Sequence, residues 1–187
     1  MSRLKLITAF SAIGISLTMG TYGIAQAATA AAGADRFAAA ATAYQNSGIA
    51  QALRNDPSGV RVAAGEVEWD GGKVVMLVPA SPDARTNPCP YTITLKWTCV
   101  YSHKNFRGTQ LKFHDAGSHN LRHYGGRGWV SNSWVNNRWQ RAFLEQHRRK
   151  PHGNSLCMSP VPTGANSSGT TASHDEWINL TKTGAGC

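Results

Sequence analysis

Carboxylates are scarce in this 187-residue chain, where ten Asp and Glu stand against nineteen Lys and Arg. From residue 88 onward only Asp115, Glu145, Asp175 and Glu176 carry one, too scattered to nominate the paired acids of a glycosidase. No Gly-x-Ser-x-Gly or His-Glu-x-x-His segment occurs, so the local signatures of serine hydrolases and zinc peptidases are missing. His114, Asp115 and Ser118 are triad residue types, but adjacency in sequence is not the spatial arrangement a triad needs. The chain reads as a binding protein, not an enzyme, with no cofactor.

Long apolar runs are lacking too. Leu6 to Ile24 is interrupted by Ser11, Ser16, Thr18 and Thr21, whereas a membrane anchor needs about 20 predominantly apolar residues. Arg3 and Lys5 ahead of this run, and the small residues of Ala25-Gln-Ala27 after it, fit a secretory signal peptide over 1–27, cut after Ala27. The expectation is therefore a secreted protein with no membrane span.

Only four cysteines are present, Cys89, Cys99, Cys157 and Cys187. In an exported chain they read as disulfides before they read as a zinc site. Three connectivities are open, and the sequential one, Cys89 with Cys99 and Cys157 with Cys187, suits the spacing best. Each bridge would contribute ~3 kcal/mol on the loop-entropy account. His119 and His123 stand four apart, a zinc spacing only on a helix, and the glycines toward Gly128 argue against one there. They read as surface loop histidines, with no metal expected.

What the chain does hold is ordered. Asp35 to Arg54 places Phe37, Tyr44, Ile49 and Leu53 in an Ala-rich stretch and ends in Asn55-Asp-Pro-Ser-Gly59, the pattern of a helix and its stop. Val60-Arg-Val62 and Glu66-Val-Glu-Trp69, then Asp70-Gly-Gly72, then Lys73-Val-Val-Met-Leu-Val78 spell a β-hairpin. Pro79 to Pro88 reads as a linker, so residues 28–87 form a helix-and-hairpin extension. Charge is uneven: Lys96 to Lys150 has eleven Lys and Arg against Asp115 and Glu145, an excess of nine. Its densest part carries Arg138, Arg141, Arg148, Arg149 and Lys150 among aromatics. Such a surface suits an anionic cell-wall polymer or membrane surface, or simply aids solubility. Export disfavours nucleic acid as the partner.

The remaining residues centre on Cys99-Val-Tyr-Ser-His-Lys-Asn-Phe-Arg-Gly108. A strand ending at Tyr101 folds over, Tyr101 and Phe106 pack together, and Gly108 takes a backbone angle that a side chain would penalise. Thr109-Gln-Leu-Lys-Phe113 and Trp129-Val-Ser-Asn-Ser-Trp134-Val135 supply further strands.

The spacing Tyr101, Phe106, Gly108, followed by a serine in Ser131-Asn-Ser133, resembles the Greek-key motif of the βγ-crystallin superfamily. With Cys89-Pro and Cys99-Val-Tyr it resembles, more narrowly, peptidase inhibitor family I36, secreted bacterial proteins whose founding members block metalloproteinases. The resemblance implies an all-β, Greek-key sandwich over 88–187. A second motif should follow Phe143; its aromatic-glycine triplet is reduced to Gly153, while Ser155-Leu-Cys-Met158 and Glu176-Trp-Ile-Asn-Leu180 still resemble its strands. Many βγ-crystallins bind calcium through acidic or amide residues shortly before the serine, but Arg127-Gly-Trp-Val130 offers none of the hard oxygens required. The family's reactive bond follows a disulfide-bonded cysteine and precedes an apolar residue, which points to Cys157-Met158. Two functions are thus expected of the chain: inhibition of a secreted protease, or, alternatively, binding or killer-toxin-like action on anionic cell-wall or membrane surfaces through the basic face.

Overall fold

The computed structural model describes residues 22–86, 88–90, 96–145, 156–159, 165, 166 and 177–182. Helix α1 spans Tyr22–Asn55. It begins earlier than the expected Asp35, because the alanine run loses little on entering a helix and carries it backward. Pro57 follows its end, where Asp56 Oδ1 accepts from the N–H and hydroxyl of Ser58 at 3.0 and 2.7 Å. Ala38–Cys187 forms one compact unit and Met1–Phe37 another. Phe37, expected on the apolar face, is 80% exposed, while Ile49 and Ala52 are buried and Tyr44 and Leu53 pack against the core.

The expected hairpin forms from β2 (Glu66–Trp69) and β3 (Val74–Leu77), preceded by β1 (Val60–Ala63). Asp70, Gly71 and Gly72 turn it with φ of 52, 66 and 87°. Then come β4 (Thr98–His103), β5 (Arg107–Phe113), β6 (Gly117–Asn120), the short helix α2 (Leu121–Gly125), β7 (Ser133–Asn136), β8 (Ala142–Glu145), β9 (Leu156–Met158), β10 (Ala165–Asn166) and β11 (Trp177–Leu180). Two antiparallel sheets result, one in the order β1-β2-β3-β5-β4-β7-β10 and one in the order β6-β11-β8-β9. Beyond α1, α2 and a 3-10 turn at Lys104–Phe106 the described fold is all-β.

Residues 60–86 are not strung ahead of the β-rich half by a free linker. β3 hydrogen-bonds β5 in the register Val74↔Phe113 to Leu77↔Gln110. The stretch expected to be the linker follows β5 as well: Gly108 N–H donates to the Ala84 carbonyl at 3.1 Å, and Arg85 bridges Arg107. The reason is the composition of β3, whose Val74, Val75 and Met76 are all buried. A strand apolar on both faces must sit inside a sheet covered on both sides.

The main core gathers Val67, Trp69, Val100, Leu111, Phe113, Leu144, Met158 and Ile178 with Ile49 and Ala52 of α1. On the alternate positions of β3 and β4, a smaller cluster holds Val75, Cys99 and Tyr101 with Cys89 and Trp97. The two-residue period assigns neighbours in sequence to these separate clusters. His119 and His123 share no helix: His119 lies on β6 and His123 on α2. His119 is not a surface loop residue, since its ring lies against Phe113 at 5.0 Å, and burial lowers its pKa.

Candidate binding site at the disulfide-closed ring

Cys89 and Cys99 are disulfide-bonded, with Cα atoms 5.8 Å apart. Cys99 is fixed in the centre of the larger sheet, opposite Lys112 of β5 and Val135 of β7. The bridge therefore closes a short ring on a strand paired on both sides; residues 91–95 of that ring lie outside the described residues. Asn137, directly after β7, holds both limbs of that ring. Its Nδ2 donates to the carbonyls of Cys89 and Pro90 at 2.9 and 3.1 Å, and its backbone N–H donates to the Trp97 carbonyl at 2.9 Å.

Two neighbours of Asn137 anchor other parts of the fold. Asn136 Oδ1 accepts from the Thr98 hydroxyl at 3.0 Å and the Arg138 N–H at 3.1 Å. Its Nδ2 donates to the Met158 and Gln140 carbonyls at 3.0 and 2.9 Å, which ties β7 to β9 of the other sheet. Arg138 donates to the Asp115 and Thr181 carbonyls, each at 3.2 Å. Buried polar groups persist in a core only when hydrogen-bonded, and these three each find partners on separate segments.

On and around the ring stand cations and aromatic rings. Lys96 Nζ lies 4.6 Å from the Trp139 ring centre, and Trp139 is 56% exposed. Trp97 packs edge-on against His114 at 5.3 Å, with Lys112 Nζ 5.7 Å from its centre. Burial lowers the Lys112 pKa, opposed by Glu66 and Glu68. Tyr101, beneath the ring, receives a hydrogen bond from Gln110 at 2.8 Å, and burial pushes its phenol up to about 12.

Tyr101, Phe106, Gly108 and Ser133 come together as expected. The two rings meet edge to face at 5.4 Å. Gly108 has φ of 74°, and a Cβ there would collide with His103 Nδ1 and Ser102 Oγ. Ser133 Oγ accepts the Phe106 N–H at 3.1 Å and donates to the His103 carbonyl at 2.7 Å. Ser133, not Ser131, therefore anchors the fold-over; Ser131 instead accepts from Trp129 Nε1 at 3.1 Å.

Other expected residues are placed differently. Met158 is fully buried, and Cys157 is paired with Phe143 inside the second sheet. That bond is therefore not on an exposed loop, because its apolar residue completes the core. Cys157 is disulfide-bonded; Cys187, its expected partner, lies outside the described residues, as do Arg148, Arg149 and Lys150 and residues 1–21 of the expected signal peptide. Arg138 is not a surface cation, being 6% exposed and spent on two carbonyls. Arg141 is half-buried, its guanidinium 5.6 Å from the Phe143 ring centre.

His114 Nδ1 lies 2.7 Å from Asp115 Oδ1, and Lys73 Nζ lies 2.9 Å from Asp115 Oδ2. Lys73, then His114, hold the Asp115 carboxyl below its usual range. Ser118 makes no hydrogen bond to His114; it sits on β6 opposite Asn179. Among the described residues no group of three His, Cys, Asp or Glu side chains is placed to hold a metal ion. A cavity of about 100 Å³ between α1 and the sheet is lined by Gly48, Met76, Tyr124 and Trp129 among others, smaller than the ~300 Å³ at which ligand pockets begin.

Asn136 and Asn137 are what sequence reasoning missed. The available signal was a polar Asn-Asn-Arg triplet directly after an aromatic and β-branched strand. Scans of family models, of curated proteins and of solved structures find no match to this chain.

Proposed function

We propose that this chain is a secreted proteinase inhibitor of the metalloproteinase-directed type it resembles, and that it presents the Cys89–Cys99 ring, not the Cys157–Met158 bond, to the protease cleft. The observation that carries this reading is Asn137, whose side chain and backbone hold both limbs of a disulfide-closed ring. A protease gains little from a floppy peptide, because ordering it on binding consumes interaction energy; limbs already fixed at Cys89, Pro90 and Trp97 reduce that loss. If a bond within the ring is cut, the disulfide and Asn137 keep both limbs attached, so the product does not leave and the bond can re-form.

The strand order supports the fold the resemblance implies. β4 to β7 and β8 to β11 form two quartets, and each contributes its third strand, β6 or β10, to the other quartet's sheet. We read this exchange as two interlocked Greek keys of the βγ-crystallin kind, with Ser133 as the anchor of the first. Export and cleavage after Ala27 belong to the same reading, since a disulfide-held ring suits an oxidising compartment.

The test is titration of the oxidised chain against a thermolysin-like metalloproteinase, a subtilisin and a trypsin-like enzyme. The reading expects saturable inhibition of the metalloproteinase, with any slow cleavage mapping between Cys89 and Cys99. Absence of inhibition of all three at micromolar concentration overturns it.

A further inference from the structure

Two exposed arginines meet at a place the sequence did not single out. Arg85 and Arg107 face one another in an isolated antiparallel bridge, and Arg107 is paired on its other side with His103 of β4. Partners across an antiparallel ladder put their side chains on one face. At a strand spacing of about 4.8 Å the three therefore form a row ~10 Å long. All three are exposed, as is Lys104 next to them. The ion pairs of the described residues lie elsewhere, on Asp115 and Glu66. Asp83, close by in sequence, pairs with neither arginine.

His103 is prepared as a donor. Ser102 Oγ accepts the Thr109 N–H at 2.9 Å and lies 2.8 Å from His103 Nδ1, where its hydroxyl proton is free to donate. In the tautomer in which Nδ1 accepts this bond, the proton of the neutral ring sits on Nε2 and the exposed imidazole offers an N–H even when uncharged. Gly108 makes room for this contact, since a Cβ there would strike both partners.

Like charges directly opposite in a ladder cost stability, and here two guanidiniums are aligned with no carboxylate between them. Arginine forks match the oxygens of phosphate and sulfate. The row is open and linear, not a cavity, so it suits successive charges along a chain better than a single ion. Among the described residues, Phe106, the aromatic residue of the fold-over, already packs against Tyr101, whereas single-stranded nucleic-acid sites rely on rings free to stack on bases. We propose that Arg85, Arg107 and His103 form a binding site for the sulfate or phosphate groups of an anionic polysaccharide.

Retention on immobilised heparin and on a phosphomannan tests this and separates the sulfate from the phosphate source, with duplex DNA as competitor. The full chain should bind at least one of the two polysaccharides. Arg85→Gln with Arg107→Gln should weaken that binding about tenfold or more and flatten its salt dependence. The melting temperature of the double variant should be equal or slightly higher, since like-charge repulsion is relieved. Arg127→Gln, an exposed arginine on the loop after α2, should change binding little. An unchanged affinity in the double variant, an equal loss in Arg127→Gln, or binding of duplex DNA as tight as that of either polysaccharide each overturns the proposal.

Discussion

Ser133 Oγ reaches back 27 residues to take the Phe106 N–H and 30 to give its own proton to the His103 carbonyl. The fold-over between β4 and β5 bends at Asn105 and Phe106, both non-glycine residues at positive φ of 57 and 58°. That conformation persists only where surroundings over-determine it, and Ser133 with the Tyr101–Phe106 ring contact does so. Ser133→Ala leaves a donor and an acceptor without this partner. It should cost ~1–3 kcal/mol, read as a lower urea midpoint with the slope unchanged.

Asn137→Ala separates scaffold from activity. Removing Nδ2 frees the Cys89 and Pro90 carbonyls while the disulfide stays closed. On the inhibitor reading the variant becomes a substrate: its affinity falls and cleavage between Cys89 and Cys99 accelerates, as mass spectrometry of timed digests would show. Wild-type inhibition and cleavage rates in Asn137→Ala would detach the ring from function.

Opening the Cys89–Cys99 bridge by a double Cys→Ser change should cost ~3 kcal/mol, the loop-closure entropy of a ring this short. The measurement is chemical denaturation of the two oxidised forms. A near-zero difference would mean that Asn137 alone holds the limbs.

A chain beginning at residue 88 should not fold as the intact protein does. It lacks β3, which leaves one edge of β5 bare, and it lacks Trp69, whose ring packs against Tyr124 at 5.0 Å, Val74, paired with Phe113, and Ile49 of the same core. Exposed edges invite pairing with other chains. Size-exclusion chromatography and near-ultraviolet circular dichroism should show association or lost side-chain packing. A monomer with native-like spectra would make residues 28–87 dispensable.

Stability should fall with acid in two stages. Burial makes the half-buried His119 harder to protonate than in the unfolded chain, against the raising influence of Asp115 and Asp70 and with help from Arg138. The unfolded state then takes up more protons, so this stability is complete above pH ~6.5 and declines as pH falls from there toward the lower folded value. Asp115 is held low by Lys73 and His114, so its contribution is present above pH ~4 and is lost below it as pH falls through the folded value. The second stage should be small, because the Asp115 side chain is 41% exposed and water screens the pair. Urea midpoints across the acid range check both: His119→Phe should remove the upper stage and Asp115→Asn the lower.

Short-range patterns were legible without coordinates. The stop at Asn55, the turn at Asp70-Gly-Gly72 and the kernel Tyr101, Phe106, Gly108 depend on residues close in sequence, whose backbone preferences and ring contacts act locally. The pairing of Cys89 with Cys99 was legible for the same reason, as the shortest of the available loops.

What only the tertiary structure decided is where long-range partners meet. Nothing local tells that β3 pairs with β5, because an apolar strand suits any covered edge. Arg138 looked like a surface cation because basic residues usually are, and it is buried because two carbonyls, of Asp115 and Thr181, converge on it from distant segments. Met158 looked like part of a reactive bond, yet core packing claims it. Composition and periodicity determined that this chain makes β-sheets with a helical start and an excess of positive charge. Which polar side chains become anchors, and which arginines face solvent in a row, depended on contacts between segments tens of residues apart, where a residue's type says what it needs but not what it will meet.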